Sequence, residues 1–211
     1  MKVAIIGPGN MGLGIARLLV AKGHNVVLAH KDQEVSTRLA AELGTNAQGA
    51  DAANAVSEAD IVILAVPFNS VAAALKEAGD LTGKVLVDIT NPITPDYMAL
   101  AIGHTTSAAE EVPSLPRGAH VVKAFNTVFW QVLPFDVRRE KPAVQVLLAG
   151  NNAAAKEAVS TMVTDLEFEA IDAGPLTNAR YIEPVGEHNI HFGYALGWGT
   201  AISPAWIRLG E

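Results

Sequence analysis

Residues 1–14 read MKVAIIGPGNMGLG, and this stretch decides the fold. The apolar run from Val3 to Ile6 shows no polar alternation, as expected of a parallel strand covered by helices on both faces. It stops at Gly7, Gly9 and Gly12, after which Ile15, Leu18 and Leu19 recur at helical spacing. Strand, tight turn and helix start thus fall inside one GxGxxG fingerprint. In such a turn Gly7 permits the sharp bend, Gly9 has no side chain to hold a pyrophosphate off the backbone, and Gly12 lets the helix close on the strand. Asn10 and Met11 open that helix, whose unpaired N–H groups and positive dipole end face whatever lies over Gly9. A dinucleotide diphosphate is expected there.

The second strand decides which dinucleotide. In an NAD site an acidic residue roughly 20 positions beyond the glycines meets the free ribose hydroxyl. Here the strand Asn25–Ala29 runs instead into His30 and Lys31, which can donate to and neutralise a phosphate on that ribose. The pair predicts NADP(H). Asp32 and Glu34 come too late for the strand tip and are expected to cap and charge the first turn of a helix over Gln33–Leu43.

With 211 residues the chain can bury a full core as one large domain, or as one domain with a small appendage. Half of it is hydrophobic and 18% is charged, which leaves little room for disorder. A net charge of -7, with no basic run longer than Arg138-Arg139, argues against nucleic acid and anionic membranes. No apolar run approaches the roughly 20 residues that span a bilayer, and no signal peptide precedes the first strand. A cytoplasmic, soluble protein is expected. Cysteine is absent, which excludes disulfides, thiolate catalysis and cysteine-ligated metals.

Further strands are predicted over 44–50, 61–66, 85–89, 121–125, 144–149 and 169–171. Helices are predicted over 51–59, 69–78, 107–112 and 153–166, the last capped by Asn151, with one more after Thr177 or Asn178. The alternation describes an α/β, Rossmann-type doubly wound parallel sheet with a small, mainly helical C-terminal segment. Ligands of such sheets bind beyond the carboxyl ends of the strands. Three tips stand out: Val66-Pro67-Phe68, Thr90-Asn91-Pro92 and Phe125-Asn126-Thr127. Val66, Pro67, Asn91 and Pro92 are candidate cofactor contacts, with Phe68 against the adenine end and Asn91 toward the nicotinamide. Asn126 is a candidate catalytic residue.

GPGNMG, VVKAFNTV (121–128) and DAGPLTNAR (172–180) together resemble the NADP-dependent reductases of the deazaflavin coenzyme F(420). They are equally similar to the nucleotide-binding domain of the six-transmembrane epithelial-antigen metalloreductases, without the membrane part. The resemblance spans almost the whole chain in order. It implies an NADP-binding Rossmann domain over 1–150, and a helical segment over 151–211 that walls the substrate cleft and supplies a dimer interface. It places Gly9, Asn10 and Met11 at the pyrophosphate, His30 and Lys31 at the ribose phosphate, and Val66 and Pro67 at a cofactor-contacting tip. Hydride is expected to pass directly to a second flat ring, a deazaflavin or a flavin, with no general acid or base and with positioning supplying the catalysis.

The chain departs from that pattern in three ways. Val35 stands where a further lysine can meet the phosphate, and Phe129 and Trp130 are bulkier than the small residues that admit a deazaflavin. The segment GEHNIHFGY (186–194) places Glu187 and His188 on one helix face with His191, where similar proteins are apolar. His191 is a candidate catalytic residue. No metal site is expected, because His188 and His191 lack the i, i+4 spacing of the helical zinc motif and a third ligand. The alternatives are an NADPH-dependent reductase of a small carbonyl or imine, with His191 or Tyr194 as proton donor, and a non-catalytic NADPH sensor. Phe192, Tyr194, Trp198 and Trp206 point to a homodimer.

Overall fold

A computed structural model of the chain describes residues 1–111, 118–139 and 141–210. In chain order β1 (Lys2–Ile6), α1 (Asn10–Ala21), β2 (Asn25–Ala29), α2 (Gln33–Leu43), β3 (Ala47–Ala50) and α3 (Ala52–Ser57) form the first half. β4 (Ile61–Leu64), α4 (Val71–Ala78), β5 (Val85–Asp88), α5 (Ala108–Glu111) and β6 (His120–Lys123) follow. Beyond them lie α6 (Phe135–Arg138), β7 (Gln145–Gly150), α7 (Ala153–Asp165), β8 (Glu169–Asp172) and α8 (Ala179–Ile190). Val112, in the helix expected over 107–112, lies outside the described residues.

One eight-stranded sheet runs in the order β3-β2-β1-β4-β5-β6-β7-β8. The first six strands are parallel, as expected. β7 meets β6 antiparallel, and β8 pairs parallel to β7, so the sheet is mostly rather than wholly parallel. It continues past residue 150 and ends at Asp172. Alternate residues of each central strand serve opposite faces. Val3 and Ile5 pack with Ile15 and Leu19 of α1, whereas Ala4 and Ile6 pack with Val71 and Leu75 of α4. Burying each such valine, leucine or isoleucine contributes about 1.5–3 kcal/mol, which is why Val3–Ile6 and Ile61–Leu64 carry no polar side chain.

Side-chain caps open α2, α3 and α7. Asp32 accepts from the Glu34 N–H at 3.0 Å and opens α2, and Asp51 accepts from Asn54 at 2.8 Å and opens α3. Asn152, not Asn151, caps α7 by accepting from Ala155 at 2.9 Å; Asn151 instead accepts from the Leu176 N–H. Neither Thr177 nor Asn178 caps α8. A tight turn at Leu176–Asn178 leads directly into it, and the Asn178 amide donates to the Ala173 carbonyl.

β4 and β6 each end two residues earlier than expected, both beside the cleft. β4 stops at Leu64 because Ala65 and Val66 bend round Gly7, whose φ of +92° only glycine adopts readily. β6 stops at Lys123 because Phe125 takes a left-handed φ of 56°. That conformation costs about 1–3 kcal/mol in a bulky residue, and the fully buried ring, edge-on to Phe168 at 5.6 Å, over-determines it. The reversal turns Asn126 toward α8. No helix of the described residues is long and apolar enough to cross a membrane.

Candidate functional site

The strand order reverses between β1 and β4, and there the carboxyl ends of two strands diverge to leave a crevice. A cavity of about 530 Å³ occupies it, lined by Gly7, Gly9, His30, Lys31, Val66 and Pro67, with Val35 and Glu77 at its side. Its floor is bare backbone. A Cβ on Gly12 would lie 2.4 Å from the Gly7 carbonyl oxygen, so α1 reaches the turn only because residue 12 is glycine. A Cβ on Gly9 would meet nothing within 4 Å, so that space belongs to the crevice. The Leu13 N–H is bonded to Gly9, while no side chain caps the N-terminus of α1 and no acidic residue lies in its first turn. α2, α3 and α7 all have side-chain caps; α1 presents its orphan N–H groups to the cavity instead.

His30 and Lys31 sit at the tip of β2. His30 Nδ1 lies 3.0 Å from the Asp32 nitrogen and 3.1 Å from the Asp32 carbonyl oxygen, which ties that side of the ring to the loop and leaves Nε2 without a partner among the described residues. Lys31 is exposed and enters no ion pair among the described residues. Phe68 does not reach this cavity. It lies in a 3-10 turn, packed on the core that holds Leu64 and Leu75.

A second cavity, about 310 Å³, lies further along the sheet between Met11, Asn91, Asn126, Trp130 and Gly186. Asn91 and Asn126 are clasped. The Asn91 amide donates to the Asn126 carbonyl at 2.7 Å, and Asn126 Nδ2 donates to Asn91 Oδ1 at 2.9 Å and to the Ile182 carbonyl at 3.2 Å. With two acceptors on Nδ2 the orientation of the Asn126 amide is set, and its Oδ1 is left buried with no partner. A Cβ on Gly186 would come within 2.8 Å of Asn91 Oδ1, so α8 approaches the clasp only through that glycine. Pro92 is buried and its carbonyl accepts from the Ala101 N–H; it lines neither cavity. Phe129 packs edge-on to Tyr194 and against Gly193, whereas Trp130 stands at the cavity edge, 45% exposed.

The expected face of Glu187, His188 and His191 divides. His191 Nε2 lies 3.3 Å from Glu187 Oε1 and 3.2 Å from the Met98 carbonyl, lining a third cavity with Asp96, Tyr97 and Tyr194. His188 packs edge-on to Phe192, centroids 4.6 Å apart, and faces the opposite side toward Trp198. A helix advances about 100° per residue, so neighbours 187 and 188 diverge while 187 and 191 align. Among the described residues no three His, Asp or Glu side chains gather to hold a metal ion.

Glu187 is buried with both oxygens lacking a well-aligned hydrogen bond. Burial raises its carboxyl above the usual carboxylate range; His191 opposes the shift, and Asp96 adds to it. A carboxyl with a raised folded pKa favours folding below its unfolded value and loses that contribution as pH climbs through the folded one. E187Q, which cannot ionise, is therefore expected to gain stability relative to the parent as pH rises from the ordinary carboxylate range toward neutrality. Thermal unfolding of both proteins from pH 4 to 8 measures this, and a difference independent of pH would contradict it.

Sequence reasoning missed one feature beneath the clasp. Lys123 Nζ, fully buried, lies 3.0 Å from Asp88, 2.9 Å from Glu183 and 2.5 Å from the Thr90 carbonyl. Glu183 also accepts from the N–H groups of Ala108 and Ala109. β5, β6, α5 and α8 thus converge on one ammonium directly below Asn91.

A bare-backbone cradle at the reversal point of a mostly parallel sheet defines a Rossmann-type dinucleotide-binding protein. Residues 2–92 match the family model described as NADP oxidoreductase, coenzyme F420-dependent. The F420-dependent NADP reductase of Methanothermobacter marburgensis is 32% identical over 203 residues, covering 88% of this chain and 89% of that one. The metalloreductase STEAP3 of Rattus norvegicus is 33% identical over 187 residues, but this chain spans only 36% of its length. A crystal structure from Arthrobacter sp. FB24, described as that of a candidate F420-dependent NADP-reductase, superposes with a TM-score of 0.88 at 30% identity, over 99% of this chain and 100% of that one. The chain belongs to the coenzyme F420-dependent NADP oxidoreductase family, a family of NADP-dependent oxidoreductases.

Proposed function

We propose that the protein passes hydride between NADP(H) and a flat redox ring, a deazaflavin such as coenzyme F(420) or a flavin. The observation that carries this reading is the pair of cavities at the two ends of the α1 start: a bare cradle over Gly9, and beside Met11 a pocket holding the orphaned Asn126 Oδ1. An unsatisfied buried acceptor costs about 1–3 kcal/mol, which a donor such as the nicotinamide carboxamide N–H would recover. The residues present fit the cofactor. Gly7, Gly9, Asn10, Met11 and Gly12 form the diphosphate seat, His30 and Lys31 take the ribose phosphate, Val66 and Pro67 flank the adenosine half, and Asn91 and Asn126 fix the nicotinamide end. When bound, NADPH supplies the hydride; the protein supplies alignment and exclusion of water. Residues 1–150 hold the dinucleotide and α8, within 151–211, walls the substrate side.

NADPH oxidation by purified protein against coenzyme F(420), FMN, ferric citrate and a cyclic imine tests the reading. Reduction of the deazaflavin or flavin is expected, imine turnover alone would move the assignment to a small-substrate reductase, and silence throughout would leave a sensor.

The cofactor preference has its own test. Lys31→Ala removes a charge-assisted contact worth about 1.5–3 kcal/mol, so NADPH affinity should fall roughly 10- to 100-fold while NADH affinity stays within twofold. Parallel loss of both in fluorescence titrations would remove Lys31 from the phosphate site.

The reading extends to a cytoplasmic homodimer. Tyr181, Tyr194, Leu196, Trp198 and Trp206 are each more than half exposed, and apolar surface on this scale calls for cover. Light scattering at the monomer mass would contradict it.

A further inference from the structure

Reducing a deazaflavin or flavin ring consumes one hydride and one proton. The hydride comes from NADPH, which leaves as NADP⁺, and the proton requires a donor near the acceptor ring. The Asn91–Asn126 clasp offers none, since both side chains are neutral amides. The adjoining cavity does. It is about 500 Å³, shares Tyr97, Ile190 and Tyr194 with the pocket beside the clasp, and is lined by His191. His191 Nε2 is held between the Met98 carbonyl at 3.2 Å and Glu187 Oε1 at 3.3 Å. Two oxygen acceptors at one ring nitrogen place a proton on Nε2, and Nδ1 has no partner among the described residues. Glu187 is buried with no well-aligned hydrogen bond, and an imidazolium four residues on would offset the cost of ionising it.

We propose that His191 supplies and recovers the proton that accompanies hydride transfer, with Glu187 as the positioning residue that sustains its charged form; the proposal rests on the reading of the cleft as a hydride-transfer site. In the reducing direction the Nδ1–H bond breaks as a ring nitrogen of the acceptor takes the proton. A neutral imidazole remains, its Nε2–H still held by Met98. The half-exposed ring regains its proton from solvent, and the oxidising direction returns the proton to Nδ1. The other titratable groups facing this pair are Asp96 and Tyr97 from the 94–99 turn and Tyr194 from the π turn after α8; no lysine or arginine lines the cavity. Asp96 acts on Glu187 in the sense that disfavours a second negative charge there, and so reinforces its need for a cation.

Two measurements test this. In protein labelled with ¹⁵N-histidine, without cofactor, His191 should titrate at lower pH in E187Q than in the parent, because the neighbouring negative charge is gone. In steady-state reduction of coenzyme F(420) by NADPH, H191A should lower kcat about 100-fold and abolish its decline toward alkaline pH, while the Kd for NADPH stays within twofold. E187Q should keep that decline and move it to lower pH, and added imidazole should restore part of the H191A rate. An unchanged His191 titration in E187Q, or H191A with the parent's kcat and pH profile, overturns the proposal alone. A parent protein that reduces neither coenzyme F(420) nor FMN overturns the functional reading and the proton role together.

Discussion

Lys123→Met is expected to cost about 3–5 kcal/mol of folding stability, the largest single-residue loss away from the apolar core. The ammonium is fully buried and compensates two carboxylates that are themselves buried, Asp88 and Glu183. Backbone donors satisfy part of each carboxylate: the Thr90 N–H bonds Asp88, and the Ala108 and Ala109 N–H groups bond Glu183. They do not cancel charge. Without the lysine, two negative groups face each other in a dry site, and the protein must protonate one or admit water. Against a total stability of about 5–15 kcal/mol for a domain, the loss is a large fraction of what holds the fold. Glu183→Gln added to Lys123→Met should recover part of it, because one uncompensated charge is removed. Urea unfolding of the parent, single and double variants measures both effects. A single-variant loss below about 1 kcal/mol would mean that the cluster is solvated and carries no weight. Since Lys123 also binds the Thr90 carbonyl, one residue before Asn91, NADPH affinity should fall in the surviving folded protein.

That cluster also marks where sequence reading runs short. The strands, the GxGxxG turn and the α2 cap were legible because each is a local pattern: an apolar run, a spaced set of glycines, an aspartate before a helix. The pairing of Lys123 with Glu183 joins residues sixty apart through the fold. Its one visible trace is a lysine inside the otherwise apolar VVKAF, where a charge on a central strand demands a partner. The Asn91–Asn126 clasp was legible as two polar strand tips but not as a mutual pair, since only the left-handed turn at Phe125 brings them together. His188 was misplaced for a simpler reason. Spacings of three and four both count as one face on paper, yet the third residue fell on the far side, where Phe192 captured it. The antiparallel entry of β7 was invisible because the apolar run Val146–Ala149 reads alike in either direction.

Gly9→Val should abolish NADPH binding, raising Kd at least 100-fold, while unfolding stability changes by no more than about 1 kcal/mol. Gly9 has φ −75° and ψ −163°, extended backbone that valine adopts without strain, and a Cβ there meets no protein atom within 4 Å. The folded chain therefore tolerates the side chain, and the volume it fills is the volume a diphosphate needs above the start of α1. Gly12→Ala is the contrasting variant. Alanine normally favours a helix interior over glycine by about 1 kcal/mol, yet here its Cβ would stand 2.4 Å from the Gly7 carbonyl oxygen, and backbone cannot give way as a side chain can. That variant should lose stability and cofactor affinity together. The pair separates a ligand seat from a packing requirement within one motif: selective loss of NADPH in Gly9→Val against joint loss in Gly12→Ala identifies bare backbone as the binding surface. Undiminished NADPH binding by a folded Gly9→Val protein would show that the diphosphate rests elsewhere, and the assignment of the crevice would fall with it.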